Sequence, residues 1–398
     1  MDQITVVGGG LAGLTAAITA AEDGARVRLL EARDTLGGRA RSSDGPYKAN
    51  LGPHVLYKDG PLWAWLRQKE LLPPAANTPL SGIRVRWEGA IRRTPPLAAI
   101  PAVLRLRGRE APVERSFRDW VRDHADESAA EMLSAAGGVY TFHHDPGELS
   151  AAFVWPRTVR ALLNPPPVAR YVIGGWTSLV ESLERSARAL GVAIETGRRV
   201  EALPDPPVIV ATELADARRL LGDDALGWKS GHTLCLDLGL RSRRGDPFVV
   251  SDLDEAGWIE RFTAPDPSLA PEGEELVQAQ MPIRPGEPPD DAAARLETLL
   301  DMALPERRER ETWRRRQVMD GRTGALDLPG QTWRDRPAID RGDGVFLAGD
   351  MVAAPGLLSE VAWASGVEAA KGAVAFTGRG ANGSRVAARP RSSESAGV

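Results

Sequence analysis

The 398-residue sequence predicts an α/β fold whose parallel sheet is assembled from three separated segments. The apolar, β-branched run Ile4–Val7 passes through a glycine-rich turn into a helical stretch, as in a buried strand followed by a helix. Strand-like and helical stretches return in 174–215 and in 341–376, and none of the three segments could bury a sheet alone. We therefore predict a Rossmann-type domain built from discontinuous segments, beside an α+β domain.

The turn after the first predicted strand carries glycines at the spacing of a dinucleotide-binding turn. Gly8 permits the tight turn, Gly10 lets the backbone approach a pyrophosphate, and Gly13 allows the helix to pack close to the strand. Glu31 ends the second predicted strand, where a carboxylate accepts hydrogen bonds from ribose hydroxyls. The order of strand, glycines, helix, strand and acid favours a dinucleotide site over a glycine turn without a ligand.

The domain limits follow from these segments. The predicted nucleotide-binding domain comprises residues 1–58, 174–215 and 341–376. The predicted substrate domain comprises residues 59–173 and 216–340, with proline-rich joints at the connections.

Several elements are predicted within these limits. We expect a strand at 199–203, a helical segment at 116–135, and a strand at Thr233–Leu238 in the substrate domain. A helix is expected from about Leu357 to Phe376. The Gly-, Ser-, Ala- and Arg-rich stretch 377–398 is expected to be a disordered tail.

Composition excludes several classes of protein. A formal net charge of −4 gives no electrostatic reason to expect nucleic acid. The single cysteine, Cys235, excludes an intrachain disulfide and any multi-cysteine metal site, so we expect a cytoplasmic protein. The five histidines show no metal-ligand spacing beyond one adjacent pair, so we expect no metal. The pair His143 and His144 is expected in an exposed loop. The uncharged stretch 3–21 lacks a basic segment before it and is interrupted by glycines, which favours a buried strand and helix over an export signal.

Further motifs carry a resemblance to a known family. Ala32 and Arg33 follow Glu31, and then comes the run Gly37-Gly38-Arg39-Ala40-Arg41-Ser42. With the later motifs Leu347–Asp350 and Ala362–Gly366, the chain resembles the FAD-dependent amine oxidase and phytoene desaturase superfamily. Its closest likeness is to the phytoene desaturase-like and protoporphyrinogen oxidase-like members, through segments such as Asp266–Gly273.

This resemblance implies non-covalently bound FAD. Glu31 would bind the adenosine ribose, Arg39 would lie against the pyrophosphate, and Asp350 would bind the ribityl or phosphate end. The backbone near Ser359 to Val361 would approach the pyrimidine ring of the flavin. The candidate cofactor residues are Gly8, Gly10, Leu11, Ala12, Gly13, Glu31, Ala32, Arg33, Gly38, Arg39, Gly52, Pro53, His54, Val200, Gly349, Asp350, Ser359 and Val361.

Catalytic residues are less apparent. His54 is a candidate proton shuttle, with a structural hydrogen-bonding role as the alternative. The family's strand lysine, which holds a water near flavin N5, has no clear match in this sequence. His232, three residues after Lys229, stands in its place. Trp363 either lines the substrate side or packs in the core, and core packing is favoured.

The function implied is an FAD-dependent desaturase or dehydrogenase that moves a hydride from an apolar or polyene-like substrate to flavin N5. The alternatives are an amine oxidase or protoporphyrinogen oxidase-like enzyme using dioxygen, and a flavin-binding protein without turnover. The apolar, Arg-flanked segment Thr94–Leu104 could contact a membrane surface peripherally or form a loop that covers the substrate domain, and the loop is favoured. The expected partner is a lipophilic or amine substrate, and the sequence leaves the oligomeric state open.

Overall fold

The computed structural model describes residues 3–94, 99–164 and 166–386. The strands within these residues are β1 (Gln3–Val7), β2 (Arg26–Leu30), β3 (Leu56–Tyr57), β4 (Ala75–Asn77), β5 (Ile83–Trp87), β6 (Ala90–Arg92), β7 (Ala169–Val172), β8 (Ala193–Glu195), β9 (Val208–Val210), β10 (Ser230–Arg241), β11 (Val249–Asp252), β12 (Trp258–Arg261), β13 (Glu274–Pro282), β14 (Glu311–Ala325) and β15 (Val345–Leu347).

The helices of the same residues are α1 (Leu11–Glu22), α2 (Pro61–Gln68), α3 (Ala99–Leu106), α4 (Phe117–Arg122), α5 (Glu127–Ala136), α6 (Gly138–Thr141), α7 (Ala151–Thr158), α8 (Thr177–Ala189), α9 (Leu214–Leu221), α10 (Pro289–Ala303), α11 (Arg307–Arg310) and α12 (Ser359–Val386). Short 3₁₀ turns lie at Pro146–Glu148, Pro267–Leu269 and Trp333–Asp335, and a π-helical turn lies at Val159–Leu163.

The first sheet is parallel and has the order β15-β9-β1-β2-β8. It draws strands from all three predicted segments, and the predicted α/β class is confirmed. In β1, Ile4, Val6 and Val7 are buried, because helices cover both faces of a parallel sheet. Helix α12 packs on α1 at Gly366, where a Cβ atom would lie 2.5 Å from the carbonyl oxygen of Ala12. The close approach of these two helices therefore depends on glycine.

The predicted strand at 199–203 is wrong. After β8 the chain turns at Gly197, which has a φ of +67°. The backbone N–H groups of Gly197 and Arg198 then donate to the carbonyl oxygens of Arg33 and Glu31. The chain is thus held against the loop after β2, and residues 199–203 pair with no strand among the described residues.

The predicted helical segment 116–135 is two helices, α4 and α5. The first ends at Arg122, and Asp126 begins the second, because its side chain accepts a hydrogen bond from the backbone N–H of Ala129 and so caps α5. At the other end of the chain, α12 runs ten residues past Phe376, into the expected tail. The remainder of that tail, 387–398, lies outside the described residues.

The second sheet has seven strands in the order β14-β10-β13-β12-β11-β5-β6 and is mostly antiparallel. Its strand β10 contains the predicted strand Thr233–Leu238, which is confirmed. A small third sheet has the order β3-β7-β4. Helices α3, α4, α5 and α7 form a further cluster with its own core. Among the helices of the described residues, none combines the length and apolar composition needed to cross a bilayer.

Candidate functional site

One large cavity, of about 1110 Å³, extends from the turn between β1 and α1 to the face of the seven-stranded sheet. Ordinary ligand pockets measure roughly 300–1,000 Å³. Sixteen of the eighteen candidate cofactor residues line it, and the two that do not are Gly13 and Val361. The structure therefore brings together residues from all three sequence segments at one end of a single cavity.

The glycine turn has the geometry that its spacing predicts. Gly8 has a φ of +106°, in the region that favours glycine. A Cβ atom on Gly13 would lie 1.9 Å from the carbonyl oxygen of Gly8, so this position serves the packing of α1 on β1. A Cβ atom on Gly10 would come no closer than 3.9 Å to any atom, the nearest being the carbonyl oxygen of Gly37. Gly10 thus borders the open cavity, where a ligand can approach the backbone.

Glu31 lies at the carboxyl end of β2 and is 8% exposed. Its Oε2 accepts a hydrogen bond from the backbone N–H of Gly9 at 2.7 Å, and its Oε1 accepts one from the N–H of Arg33 at 2.8 Å. These donors fix the carboxylate at the cavity wall and leave lone pairs on both oxygens. The arrangement can accept hydrogen bonds from two hydroxyl groups.

Arg39 and Asp350 form a two-pronged ion pair across 311 residues of sequence. Both Nη atoms of Arg39 donate to the carboxylate at 2.8 Å, and Nη1 also donates to the carbonyl oxygen of Arg322. Burial opposes ionisation of Asp350, but the charge and hydrogen bonds of Arg39 hold the pKa of its carboxyl below the usual value. The pair therefore stays charged at neutral pH and presents a guanidinium to the cavity.

Helix α12 holds the turn that carries Asp350. The Ser365 hydroxyl accepts a hydrogen bond from the N–H of Gly349 at 2.9 Å and lies 2.9 Å from the carbonyl oxygen of the same residue. At the helix N-terminus, Ser359 and Ala362 line the cavity, whereas the side chain of Val361 is buried in the core. A positive dipole end therefore faces the cavity from this helix.

Trp363, also on α12, is half-buried and packs against the core, in line with the favoured alternative. Its ring lies 6.4 Å from that of Trp65, centroid to centroid, and it does not line the cavity.

His54 follows the Gly52–Pro53 turn at the cavity wall. Its Nδ1 lies 2.6 Å from the carbonyl oxygen of Gly52, and its ring packs against Trp176 with centroids 4.8 Å apart. Burial lowers the pKa of the imidazole to about 4, assisted by the positive charge of Arg39 and opposed by the hydrogen bond to Gly52. At neutral pH the ring is neutral with Nδ1 as the donor, which leaves Nε2 as an acceptor. A role in proton transfer stays a prediction.

Replacing His54 by Gln is expected to reduce the loss of stability on acidification. Between pH 6.5 and about 4 the unfolded chain binds a proton at this histidine that the folded chain does not, so stability falls as pH falls. Urea unfolding of both proteins at pH 7 and pH 5 measures the difference. An identical decrease in the two proteins would contradict the neutral, buried state of His54.

The other histidines lie away from the cavity wall. His143, expected to be exposed, is 5% exposed, with Nδ1 at 2.9 Å from the carbonyl oxygen of Asp145. The expectation of an exposed loop is wrong for it, because aromatic and backbone contacts enclose the ring. His232 does not line the cavity, whereas Cys235 in the same strand does. Within the described residues, no three His, Cys, Asp or Glu side chains converge as metal ligands.

The face of the seven-stranded sheet forms the opposite wall of the cavity. Strand register aligns one row of side chains, and all but Gln280 line the cavity: Gln317, Cys235, Gln280, Trp258, Ser251 and Val85. A second row of side chains lies on the same face, displaced by two residues along each strand. It comprises Arg315, Asp237, Gln278, Glu260, Val249 and Ile83. The last three of these line the cavity.

Most side chains at this end are apolar, including Val103, Met132, Leu133, Val139, Phe248, Leu253 and Met319. The polar exceptions include Tyr57, Tyr140, Tyr171 and Glu260. Reasoning from the sequence missed these residues, because they come from separate strands and helices without a shared motif. Glu260 in β12 and Tyr171 in β7 lie 89 residues apart.

Comparison with known proteins supports the fold. A sequence model described as an NAD(P)-binding Rossmann-like domain matches residues 6–68. No curated protein sequence matches the chain significantly. An oxidoreductase from Methanosarcina mazei superposes with a TM-score of 0.74 at 17% identity, covering 93% of this chain and 100% of that one.

Two amine oxidases superpose similarly. A double mutant of putrescine oxidase gives a TM-score of 0.72 at 16% identity, covering 94% of this chain and 99% of that one. Cyclohexylamine oxidase from Brevibacterium oxydans gives 0.68 at 13% identity, covering 96% and 99%. The chain therefore contains a Rossmann-like unit within residues 6–68 and has the fold of these oxidoreductases.

Proposed function

We propose that this protein is an FAD-dependent oxidoreductase that takes a hydride from an apolar or polyene-like organic substrate. The observation that carries the proposal is the continuity of one cavity, which joins the dinucleotide residues to an apolar chamber. When bound, FAD supplies the hydride acceptor, its N5 atom. The protein supplies position, polarity and exclusion of water.

The residues at the nucleotide end fit FAD. Gly10 leaves open space beside the α1 N-terminus for a pyrophosphate, and the fixed carboxylate of Glu31 suits two ribose hydroxyls. Arg39, held by Asp350, brings a positive charge to a ligand that carries two phosphates. Binding is proposed to be non-covalent: burial and the charge of Asp237 raise the pKa of the Cys235 thiol, so it stays protonated and unreactive.

The opposite end suits an apolar substrate. When an apolar substrate enters a chamber lined by aliphatic and aromatic side chains, burial of its apolar surface stabilises the complex by roughly 25 cal/mol for each Å². Tyr57 and Tyr140 supply neutral hydroxyl groups there, because burial raises the pKa of both phenols. The chamber thus also keeps bulk water from a reactive centre.

An amine oxidase or protoporphyrinogen oxidase-like enzyme that uses dioxygen is the second candidate, favoured by the likeness to putrescine oxidase and cyclohexylamine oxidase. Against it, no lysine lines the cavity within the described residues, and Lys229 instead pairs with Glu148 at 2.7 Å. The third candidate is a flavin-binding protein without turnover.

An anaerobic screen of lipophilic alkenes, porphyrinogens and amines for bleaching of the bound flavin separates these candidates. Bleaching by an alkene, followed by slow reoxidation in air, is the result expected for a desaturase. Fast reoxidation with release of peroxide would favour the oxidase. A protein that retains FAD but is bleached by no member of the three classes would contradict turnover of these substrates.

The mouth of the cavity exposes apolar side chains. Ile83, Ile100, Leu104 and Leu162 line the cavity and are between 37% and 64% exposed. Exposed arginines neighbour this rim on α3 and after it, among them Arg105, Arg107 and Arg109. We propose that this rim rests on an anionic lipid surface from which a lipophilic substrate enters. Residues 95–98 of the segment first singled out for membrane contact lie outside the described residues.

The double variant Ile100→Glu with Leu104→Glu is expected to lose most of its binding to anionic vesicles, because two carboxylates would meet the anionic surface. Flotation with phosphatidylserine-containing liposomes measures the bound fraction. Met302→Glu is the matched control, since Met302 is 37% exposed but does not line the cavity. Absence of the wild-type protein from the floated fraction, with and without anionic lipid, would contradict the proposal.

A further inference from the structure

Glu260 is a buried carboxyl group in the apolar part of the cavity. It lies in β12, at the centre of the seven-stranded sheet, and is 4% exposed. Its Oε1 accepts a hydrogen bond from the hydroxyl of Tyr171, and its Oε2 accepts one from Nε1 of Trp258 at 3.0 Å. Both donors are neutral, and both also line the cavity. No cationic side chain pairs with Glu260 in the part of the chain that the structure describes.

The other buried carboxylates of the protein are compensated differently. Glu31 and Asp266 accept hydrogen bonds from backbone N–H groups. Six more pair with an arginine: Asp237 with Arg315, Asp246 with Arg310, Asp252 with Arg86, Glu275 with Arg261, Asp327 with Arg336, and Glu360 with Arg160. Within the described residues, Glu260 has neither kind of partner. Keeping a buried carboxyl group ionised in this condition is costly, and a bound cation would offset that cost.

Its surroundings suit a cation. The rings of Trp258, Tyr171 and Phe248 line the same part of the cavity, with Tyr171 and Phe248 edge to face at 6.0 Å. Aromatic faces attract ammonium groups through their quadrupole. An uncompensated carboxyl group beside aromatic rings therefore suits a ligand that carries a positive charge.

We propose that Glu260 binds a protonated amino group carried by an otherwise apolar substrate, and so determines specificity at this end of the cavity. The proposal rests on the proposed function, since it assumes that the chamber receives the substrate. Burial raises the pKa of the Glu260 carboxyl, opposed by the hydrogen bonds from Tyr171 and Trp258. A bound ammonium stabilises the ionised form and takes the place that arginine fills at the six paired sites.

The test compares n-octylamine with n-octanol, which share an apolar chain and differ in charge. Calorimetric titration of the FAD-loaded protein at pH 7.5, without oxygen, measures both dissociation constants. The wild-type protein is expected to bind the amine about tenfold more tightly, as a charge-assisted hydrogen bond in an apolar site implies. Glu260→Gln is expected to bring the two constants within about threefold of each other, since a neutral amide replaces the carboxylate.

Ser251→Ala is the control, because Ser251 lines the same wall in register with Trp258 and carries no charge. It is expected to retain the preference for the amine. Equal binding of amine and alcohol by the wild-type protein would overturn the proposal even if Glu260→Gln does not fold. That outcome leaves the flavin function standing, whereas failure of the chain to retain FAD removes the proposed function itself.

Discussion

Replacing Gly10 by Ala is expected to abolish tight FAD binding while leaving the protein folded. Gly10 has a φ of −77°, which alanine adopts readily, and its Cβ would meet no protein atom within 3.9 Å. The added methyl group would instead occupy the space beside the α1 N-terminus where we propose that the pyrophosphate lies. Circular dichroism and the urea midpoint are expected to match those of the wild type, with FAD affinity reduced at least about a hundredfold, which is roughly 2.7 kcal/mol.

The partner variant, Gly13→Ala, is expected to lose folding stability first and FAD binding only as a consequence. Its Cβ would lie 1.9 Å from the carbonyl oxygen of Gly8, so α1 must move away from β1. Overpacking of this kind costs about 3 kcal/mol of unfolding free energy, and cofactor binding is lost with the fold. A folded Gly10→Ala protein with unchanged FAD affinity would contradict the assignment of the phosphate site. Normal stability of Gly13→Ala would contradict the packing role.

The second large effect is expected at the ion pair that closes the cofactor end. Asp350→Asn leaves the guanidinium of Arg39 without its carboxylate in a site where the two side chains are 32% and 17% exposed. The loss of two charge-assisted hydrogen bonds is expected to lower the unfolding free energy by about 2 kcal/mol, and displacement of Arg39 to weaken FAD binding about tenfold or more. Urea unfolding with and without FAD measures both effects.

The pH dependence provides a check on the mechanism. The pKa of Asp350 is lowered in the folded protein, so its contribution to stability is present above the ordinary carboxyl pKa of 3.8 and is lost as pH falls through the lower, folded value. The difference between wild type and Asp350→Asn is therefore expected to persist to about pH 4 and to shrink below it.

Glu195→Gln is the control for this variant. It breaks a similar two-pronged pair with Arg28, but that pair lies at the surface, and solvation of both partners makes its contribution much smaller. If Glu195→Gln lowers the unfolding free energy as much as Asp350→Asn does, burial does not explain the larger contribution expected of the Arg39–Asp350 pair.

The local half of the site was predictable because its constraints lie close together in sequence. One strand–helix–strand unit has geometric requirements that are met by Gly8, Gly10, Gly13 and Glu31. The structure has these residues in the turn after β1, in the first turn of α1 and at the end of β2, as predicted. The pairing of Arg39 with Asp350 spans 311 residues and no local pattern implies it. The family resemblance predicted Arg39 and Asp350 as two separate cofactor-binding residues. It did not predict that their side chains contact each other.

The substrate end was not predictable, since its residues become neighbours only through sheet register. Trp258, Ser251 and Val85 line the cavity side by side on three strands that no spacing in the sequence aligns. The error at 199–203 has a related cause. Its alternating residues resemble a strand, but hydrogen bonds from Gly197 and Arg198 hold the chain against the loop after β2. Tertiary contacts therefore decided both outcomes.

The most direct test of the flavin proposal is the identity of the cofactor that accompanies the purified protein. Gel filtration after incubation with FAD, followed by absorbance spectra of the protein peak and of the supernatant after heat denaturation, measures it. The expected result is one FAD for each chain, with a flavin spectrum that co-elutes with the protein and is released intact on denaturation. A colourless protein from which added FAD separates completely would contradict the proposed function.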